Sequence, residues 1–146
     1  MIEVQAISPK RCHQKLFPLP NEIFCLGLCS GEIAVYAYLM YCEDRKTFQC
    51  HPSYRTIGRA VGLSRNTVKK YVAWLEQKQL IATQPTTIYT KDGRKRNGSL
   101  LYTIRPIEEA KEHYFDQQLQ RAEEESARHK TRKLLEQRRQ ERSCKG

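Results

Sequence analysis

The sequence predicts a mainly α protein with one small β-hairpin, closed by a long charged C-terminal helix. Three observations carry that reading. The stretch GLSRNTVKKYVAWLEQKQLI, from Gly62 to Ile81, has the spacing of a helix with two unlike faces. Two runs rich in Thr, Ile, Leu and Tyr, ATQPTTIYT and SLLYTIR, flank the turn-forming segment KDGRKRNG. Residues 107–146 contain no proline, and no glycine before the last position.

Length and charge bound the function classes. A chain of 146 residues suits one ordinary domain plus an appendage. Its six cysteines raise the question of a disulfide framework. The opening MIEVQAISPKR, however, has no apolar segment after its basic residues, and no run of ~18 apolar residues occurs anywhere. The expectation is a soluble, cytoplasmic protein with reduced thiols and no membrane partner. The net charge is +10, and residues 1–106 hold 16 of the 26 Lys and Arg against 7 of the 16 Asp and Glu. Excess base concentrated on the globular part favours a polyanion, nucleic acid first.

Along the chain, residues 1–29 read as an arm packed on the core, because Pro9, Pro18 and Pro20 interrupt any long helix while LFPLP and IFCLGL supply apolar groups. Ser30 is the expected N-cap of a first helix, with Glu32 in its first turn opposite the positive end of the helix dipole. IAVYAYLMYC, Ile33 to Cys42, is apolar almost all round, as in a helix buried on most sides. After the polar EDRKT, TFQCHPS allows a short strand, ended by Pro52. Ser53 then caps a short helix from Tyr54 to Val61 with Ile57 and Val61 one turn apart. Gly62 occupies the position where a helix ends in the left-handed region, Leu63 plugs the corner and Ser64 caps the next helix. Helix, glycine turn and capped helix form a helix-turn-helix layout.

On the third helix, Val68, Tyr71, Val72 and Leu75 fall on one side, and Asn66, Lys70, Ala73 and Gln77 on the other. The apolar side is core. The other begins with Arg65 and Asn66, continues with Lys69 and Lys70, and then offers only the small Ala73. ATQPTTIYT and SLLYTIR next form a hairpin, since Asp92-Gly93 and Asn97-Gly98 both suit tight turns. Its expected tip carries Lys91, Arg94, Lys95 and Arg96 on an exposed loop, the shape of a wing. The tail from Ile107 to Gly146 is helical after Pro106, with Ile107, Ala110, Tyr114, Phe115, Leu119 and Ala122 able to dock its first half. Apolar positions then thin out until Leu134 and Leu135, so no sustained coiled coil is expected and the end is read as frayed. Residues 107–125 hold seven acids and two bases, residues 126–146 eight bases and two acids. The basic end is expected to add non-specific DNA attraction, and antiparallel pairing of two tails, acidic half to basic half, is the other functional reading.

SYRTIGRAVGLSRNTVKKYVAWLEQKQLI resembles the winged helix-turn-helix pattern common in bacterial regulators, and LFPLPNEIF with the Ser30 helix extends the likeness to roughly residues 16–105. Within that group it is most similar to small helix-turn-helix proteins of mobile genetic elements and to the N-terminal domains of plasmid replication initiators. Two features depart from the pattern. Gly58 stands where alanine is usual, which predicts a second helix looser by about 1 kcal/mol, and the initiators continue into a second folded region that this sequence lacks. The resemblance divides the chain into an arm (1–29), a winged helix-turn-helix domain (30–106) and a charged helical tail (107–146).

The resemblance implies sequence-specific binding of double-stranded DNA by a recognition helix at about 64–78 in the major groove and a basic wing at about 86–103. Arg65 suits guanine, Asn66 suits adenine, and Thr67 adds a hydroxyl or methyl contact. Ser64, Lys69, Lys70, Arg55 and Arg59 suit phosphates, as do the wing residues Lys91, Arg94, Lys95 and Arg96, which can also enter the minor groove. The role implied is transcriptional regulation of a mobile element, with an accessory replication factor on origin DNA as the alternative and a homodimer through the tail as the partner arrangement.

Competing readings rest on the same residues. Charged helix faces and basic loops often serve solubility alone, and a winged helix can be a protein-docking module with an idle basic face. Single-stranded nucleic acid would need exposed aromatics, for which Tyr89 and Tyr102 are the candidates. Tyr36, Tyr38, Tyr41, Tyr71 and Trp74 fit packing at helical spacings. Cys25 and Cys29, Cys42, Cys50-His51 and Cys12-His13 lack the paired-knuckle spacing of structural zinc sites, so no metal is expected. His13, His51, His113 and His129 have no triad neighbours, and neither a phosphate loop nor a nucleophile elbow occurs, so neither catalysis nor a cofactor is expected.

Overall fold

A computed structural model of the protein describes residues 16–144. The first part of the expected arm, with Cys12 and His13, lies outside the described residues. A 3-10 turn at Asn21–Cys25 buries Ile23 and leads into Leu26, which is also buried. Helix α1, Ser30–Cys42, then carries Val35, Tyr36, Leu39 and Met40 into the core. Tyr41 on the same helix is 64% exposed, so this helix is buried along one broad side rather than all round.

The start of α1 differs from expectation in an informative way. Ser30 is the first helical residue and Cys29, in extended conformation, is the N-cap. The Glu32 carboxylate reaches back to accept the Cys29 backbone N–H at 2.8 Å. Its other oxygen accepts from the Lys78 ammonium at 2.8 Å, and Glu32 is only 2% exposed. The first turn of α1 is therefore tied to a residue 46 positions later in the sequence.

Strand β1, Gln49–Cys50, follows a tight turn in which Phe48 takes a positive φ of 57°. Helix α2, Tyr54–Val61, starts at the Ser53 cap, whose hydroxyl accepts the Thr56 N–H at 3.1 Å. It ends at Gly62, with φ of 74°, a conformation in which a Cβ would crowd the following carbonyl. Helix α3, Arg65–Gln77, starts at Ser64, whose hydroxyl accepts the Thr67 N–H at 3.2 Å. Val68, Val72 and Leu75 are buried, while Asn66, Lys70, Ala73 and Gln77 are exposed, the two faces set by the helical period.

Gly58 explains the closeness of the α2–α3 corner. A Cβ there would come nearer to the Leu63 carbonyl oxygen than the 3.0 Å that real Cβ contacts essentially never breach. Its own carbonyl accepts the backbone N–H groups of both Gly62 and Leu63. The missing side chain of glycine at this position lets the corner close.

The expected hairpin is present and is split into two ladders. Strand β2, Ile81–Gln84, pairs antiparallel with β5, Leu101–Ile104, and β5 also pairs with β1, giving the order β1-β5-β2. A separate ladder joins β3, Thr87–Tyr89, to β4, Lys95–Asn97. Between the ladders the outgoing arm has two residues, Pro85 and Thr86, and the return arm three, Gly98 to Leu100, so the register slips by one. Pro85 has no N–H for a ladder, and a slip of one residue reverses which face each side chain occupies. Only Asp92-Gly93 makes the tight turn; Asn97-Gly98 sits at the slip.

Helix α4, Ile107–Ser143, is 37 residues long. Ala110 is buried, and Ile107 and Tyr114 pack on the core, whereas Phe115 and every residue from Gln118 to Cys144 are exposed. The end expected to fray is helical through Ser143, as the absence of glycine and proline allows. No helix among the described residues is long and apolar enough to cross a membrane.

Candidate nucleic-acid interface

The C-terminal end of the third helix is tied to three other elements. Glu76 accepts from both the backbone N–H and the hydroxyl of Thr83 on β2, at 3.1 and 2.8 Å. Lys78, the C-cap, pairs with Glu32. Gln79, left-handed with φ of 64°, donates its N–H to Glu76, and Leu80 donates to Leu75, closing the helix with a two-bond C-terminal motif. The Gln79 side chain accepts from Arg105, which also pairs with Glu109 at the start of α4.

The N-terminal end of α3 faces outward. Arg65, Asn66, Lys69 and Lys70 are all exposed. Arg65 lines a shallow groove of about 450 Å³ together with Ser53 and Arg55 of the α2 start and Asn97, Ser99 and Leu100 at the base of the β3–β4 hairpin. The wing and the head of α3 are thus neighbours across one groove. Arg55 and Arg59 are exposed on α2.

Two residues of the helix are more constrained than the sequence suggested. Thr67 is half-buried, and its hydroxyl lies 2.8 Å from that of Ser64, so both hydroxyls belong to the helix cap. The Lys70 ammonium stands 4.5 Å over the Trp74 ring, a cation–π contact that holds the side chain along the helix. Trp74 is partly exposed and meets Tyr71 edge-on at 5.5 Å.

The wing's cations are distributed differently from a four-cation loop. Lys91 lies in the turn and Arg94 closes it, its carbonyl accepting the Thr90 N–H at 2.9 Å. Lys95 and Arg96 belong to strand β4 and, being consecutive, lie on opposite faces of the ribbon. All four are exposed. Tyr89, 71% exposed on β3, is available to a ligand; Tyr102 is fully buried in β5 and cannot stack on a base. Burial raises the Tyr102 phenol, with Tyr54 and Cys50 adding to the shift.

Sequence reading missed Asn97 and Ser99 as interface candidates, because Asn97-Gly98 looked like a turn and only the register slip brings it beside Arg65. Among the described residues no group of three or more His, Cys, Asp or Glu side chains is placed to hold a metal ion. Cys50 is buried, its thiol reaching the Leu39 carbonyl at 3.5 Å, and burial, then Cys42 and Glu43, push its pKa up to about 12. Cys12-His13 lies outside the described residues.

A family model described as a helix-turn-helix domain matches residues 26–81, which run from the end of the 3-10 turn through α1, α2 and α3 to the first residue of β2. The matched segment holds the helix, the Gly62 turn and the capped helix described above, and the hairpin and α4 follow it. Among solved structures the chain is similar to a possible transcriptional regulator from Methanosarcina mazei Go1, at 19% identity over 70% of this chain and 81% of that one, with a TM-score of 0.46. It is also similar to the C30S mutant of Lactococcus lactis ZitR in complex with DNA, at 19% identity over 76% and 68% of the two chains, with a TM-score of 0.37. No curated protein matches the chain.

Proposed function

We propose that the protein binds double-stranded DNA sequence-specifically and acts as a cytoplasmic transcriptional regulator. The observation that carries this reading is the groove in which the exposed head of α3, Arg55 of α2 and the base of the wing meet. A helix presented in this way fits the major groove, about 12 Å wide, with the wing lying along the neighbouring backbone. Arg65 and Asn66 read base edges by paired hydrogen bonds. Thr67 contributes its methyl group, since its hydroxyl is engaged by Ser64. Ser64 is likewise occupied as a cap, so its phosphate contact runs through the backbone N–H groups of the first turn. Lys69, Lys70, Arg55 and Arg59 serve phosphates on one flank; Lys91, Arg94 and one of Lys95 and Arg96 serve those under the wing. The resemblance to proteins of mobile elements makes such an element the proposed genetic context.

Mobility shift on random duplex DNA at two salt concentrations tests the reading. Changing Lys69, Lys70, Arg94, Lys95 and Arg96 to Ala lowers the slope of log affinity against log salt by roughly 0.9 for each phosphate no longer neutralised. Unchanged affinity and slope in that variant would instead support a protein-docking role for the domain.

A further inference from the structure

The outer two thirds of α4 project from the domain with nothing packed against them among the described residues. In proteins most helical stability comes from packing of one face rather than from propensity, so what covers this rod matters. Its charges are segregated: residues 107–125 carry seven acids against two bases, and residues 126–146 eight bases against two acids. The rod neutralises few of these internally. Beyond residue 118 the described ion pairs within α4 are Glu124 with Arg128 at 3.9 Å and Arg132 with Glu136 at 3.2 Å. The centres of the two halves are about 30 Å apart along the axis at 1.5 Å per residue, several times the ~8 Å screening length at physiological salt. One helix therefore cannot satisfy its own halves.

We propose that α4 pairs antiparallel with α4 of a second copy of this chain. A parallel pair sets acid on acid and base on base; an antiparallel pair sets each half against its complement. The exposed leucines give the register. Leu119 and Leu134, 63% and 49% exposed, lie within about 60° of each other around the helix. Placing Leu119 of one copy opposite Leu134 of the other sets Glu123 across from Lys130, both within about 10° of the middle of the seam, and brings the acidic segment 123–125 level with the basic segment 128–130 along the axis. The same register sends the two globular heads to opposite ends of a rod about 60 Å long. The sparse apolar contact makes the pair weak and salt-sensitive, which distinguishes it from a leucine-seamed coiled coil. The pairing stands independently of DNA binding.

Sedimentation equilibrium of the full chain at roughly 100 μM is expected to show a dimer at about 50 mM salt whose affinity falls at least tenfold by about 500 mM. Glu123→Lys, Glu124→Lys and Glu125→Lys together give a monomer. Adding Arg128→Glu, His129→Glu and Lys130→Glu to the same chain restores the dimer, with circular dichroism checking that helix content is kept. Mixed E123C and K130C chains, oxidised and mapped by peptide mass spectrometry, cross-link to each other and not E123C to E123C. A monomeric parent chain, a dimer indifferent to the triple reversal, or E123C self-links together with Cys144 self-links would each overturn the proposal.

Discussion

Replacing Gly58 by Ala sets two opposed terms against each other at one atom. Helix propensity alone favours the substitution by about 1 kcal/mol, because alanine loses less backbone freedom on folding. The structure opposes it. The new methyl would press on the Leu63 carbonyl oxygen, a backbone atom fixed in the corner between α2 and α3, and Val68 stands 3.5 Å away on the far side. Relief requires moving the corner, which loads the bonds from Gly62 and Leu63 to the Gly58 carbonyl, the latter 2.9 Å long. Two neutral hydrogen bonds weakened at about 1 kcal/mol each, with overpacking of about 1–3 kcal/mol, outweigh the propensity gain. The net expectation is a loss of about 2–4 kcal/mol, read as a lower urea midpoint with unchanged m-value. DNA affinity should drop in parallel, since the corner sets the angle at which α3 is presented. A Gly58→Ala protein as stable as the parent or more so would refute the close-approach argument.

Other consequences follow from buried groups. Lys78→Met leaves the Glu32 carboxylate without its cation in a site only 2% exposed; because Lys78 itself is a third exposed, the expected cost is about 2–3 kcal/mol, below that of a fully buried pair. The double variant with Glu32→Gln should recover part of it in the same urea titration. Burial, and then Glu43, push the Tyr36 phenol up to about 12 from its ordinary 10.0. A folded-state pKa above the unfolded one means stability is fully present below pH 10 and is lost as pH rises through about 12, with Cys50 acting in the same direction from 9.0 to about 12. Denaturant titrations across that window should show the decline, and Tyr36→Phe should make it shallower.

The parts of this fold that were legible in the sequence are those decided within a few residues. Ser53 and Ser64 cap helices by bonding an N–H three positions on, and Gly62 ends α2 by its own backbone freedom, so the helix-turn-helix unit could be placed from local chemistry. The exposed and buried faces of α3 followed from periodicity. What could not be read were choices made by distant partners. Cys29 rather than Ser30 caps α1 because Glu32 is held in place by Lys78. The hairpin splits into two ladders because Pro85 halts one arm and the return arm carries one residue more, and no turn dipeptide announces that slip. Tyr102 looked available beside a hairpin, but β1 and β2 flank its strand and bury it. The close approach at Gly58 was equally invisible, because propensity sees one helix whereas the contact comes from the residues leading into the next.

These distant contacts also determine what α3 can do. Its C-terminal end is fixed three ways: Glu76 to Thr83 on β2, Lys78 to Glu32 on α1, and Gln79 to Arg105, which continues to Glu109 on α4. Its N-terminal turn is held by the Ser64 cap and the Gly58 corner, with its outer face open beside the wing. A helix anchored at both ends with one face open is a rigid pointer, so the proposed DNA binding would cost it little ordering entropy. Because the same anchor passes through Arg105 and Glu109 into the first turn of α4, the direction of the long helix is mechanically linked to the direction of the pointer. Two copies joined through α4 would then hold their pointers at a separation set by the register of the rod, and a shift of one helical turn in that register would move each head by about 5.4 Å along it.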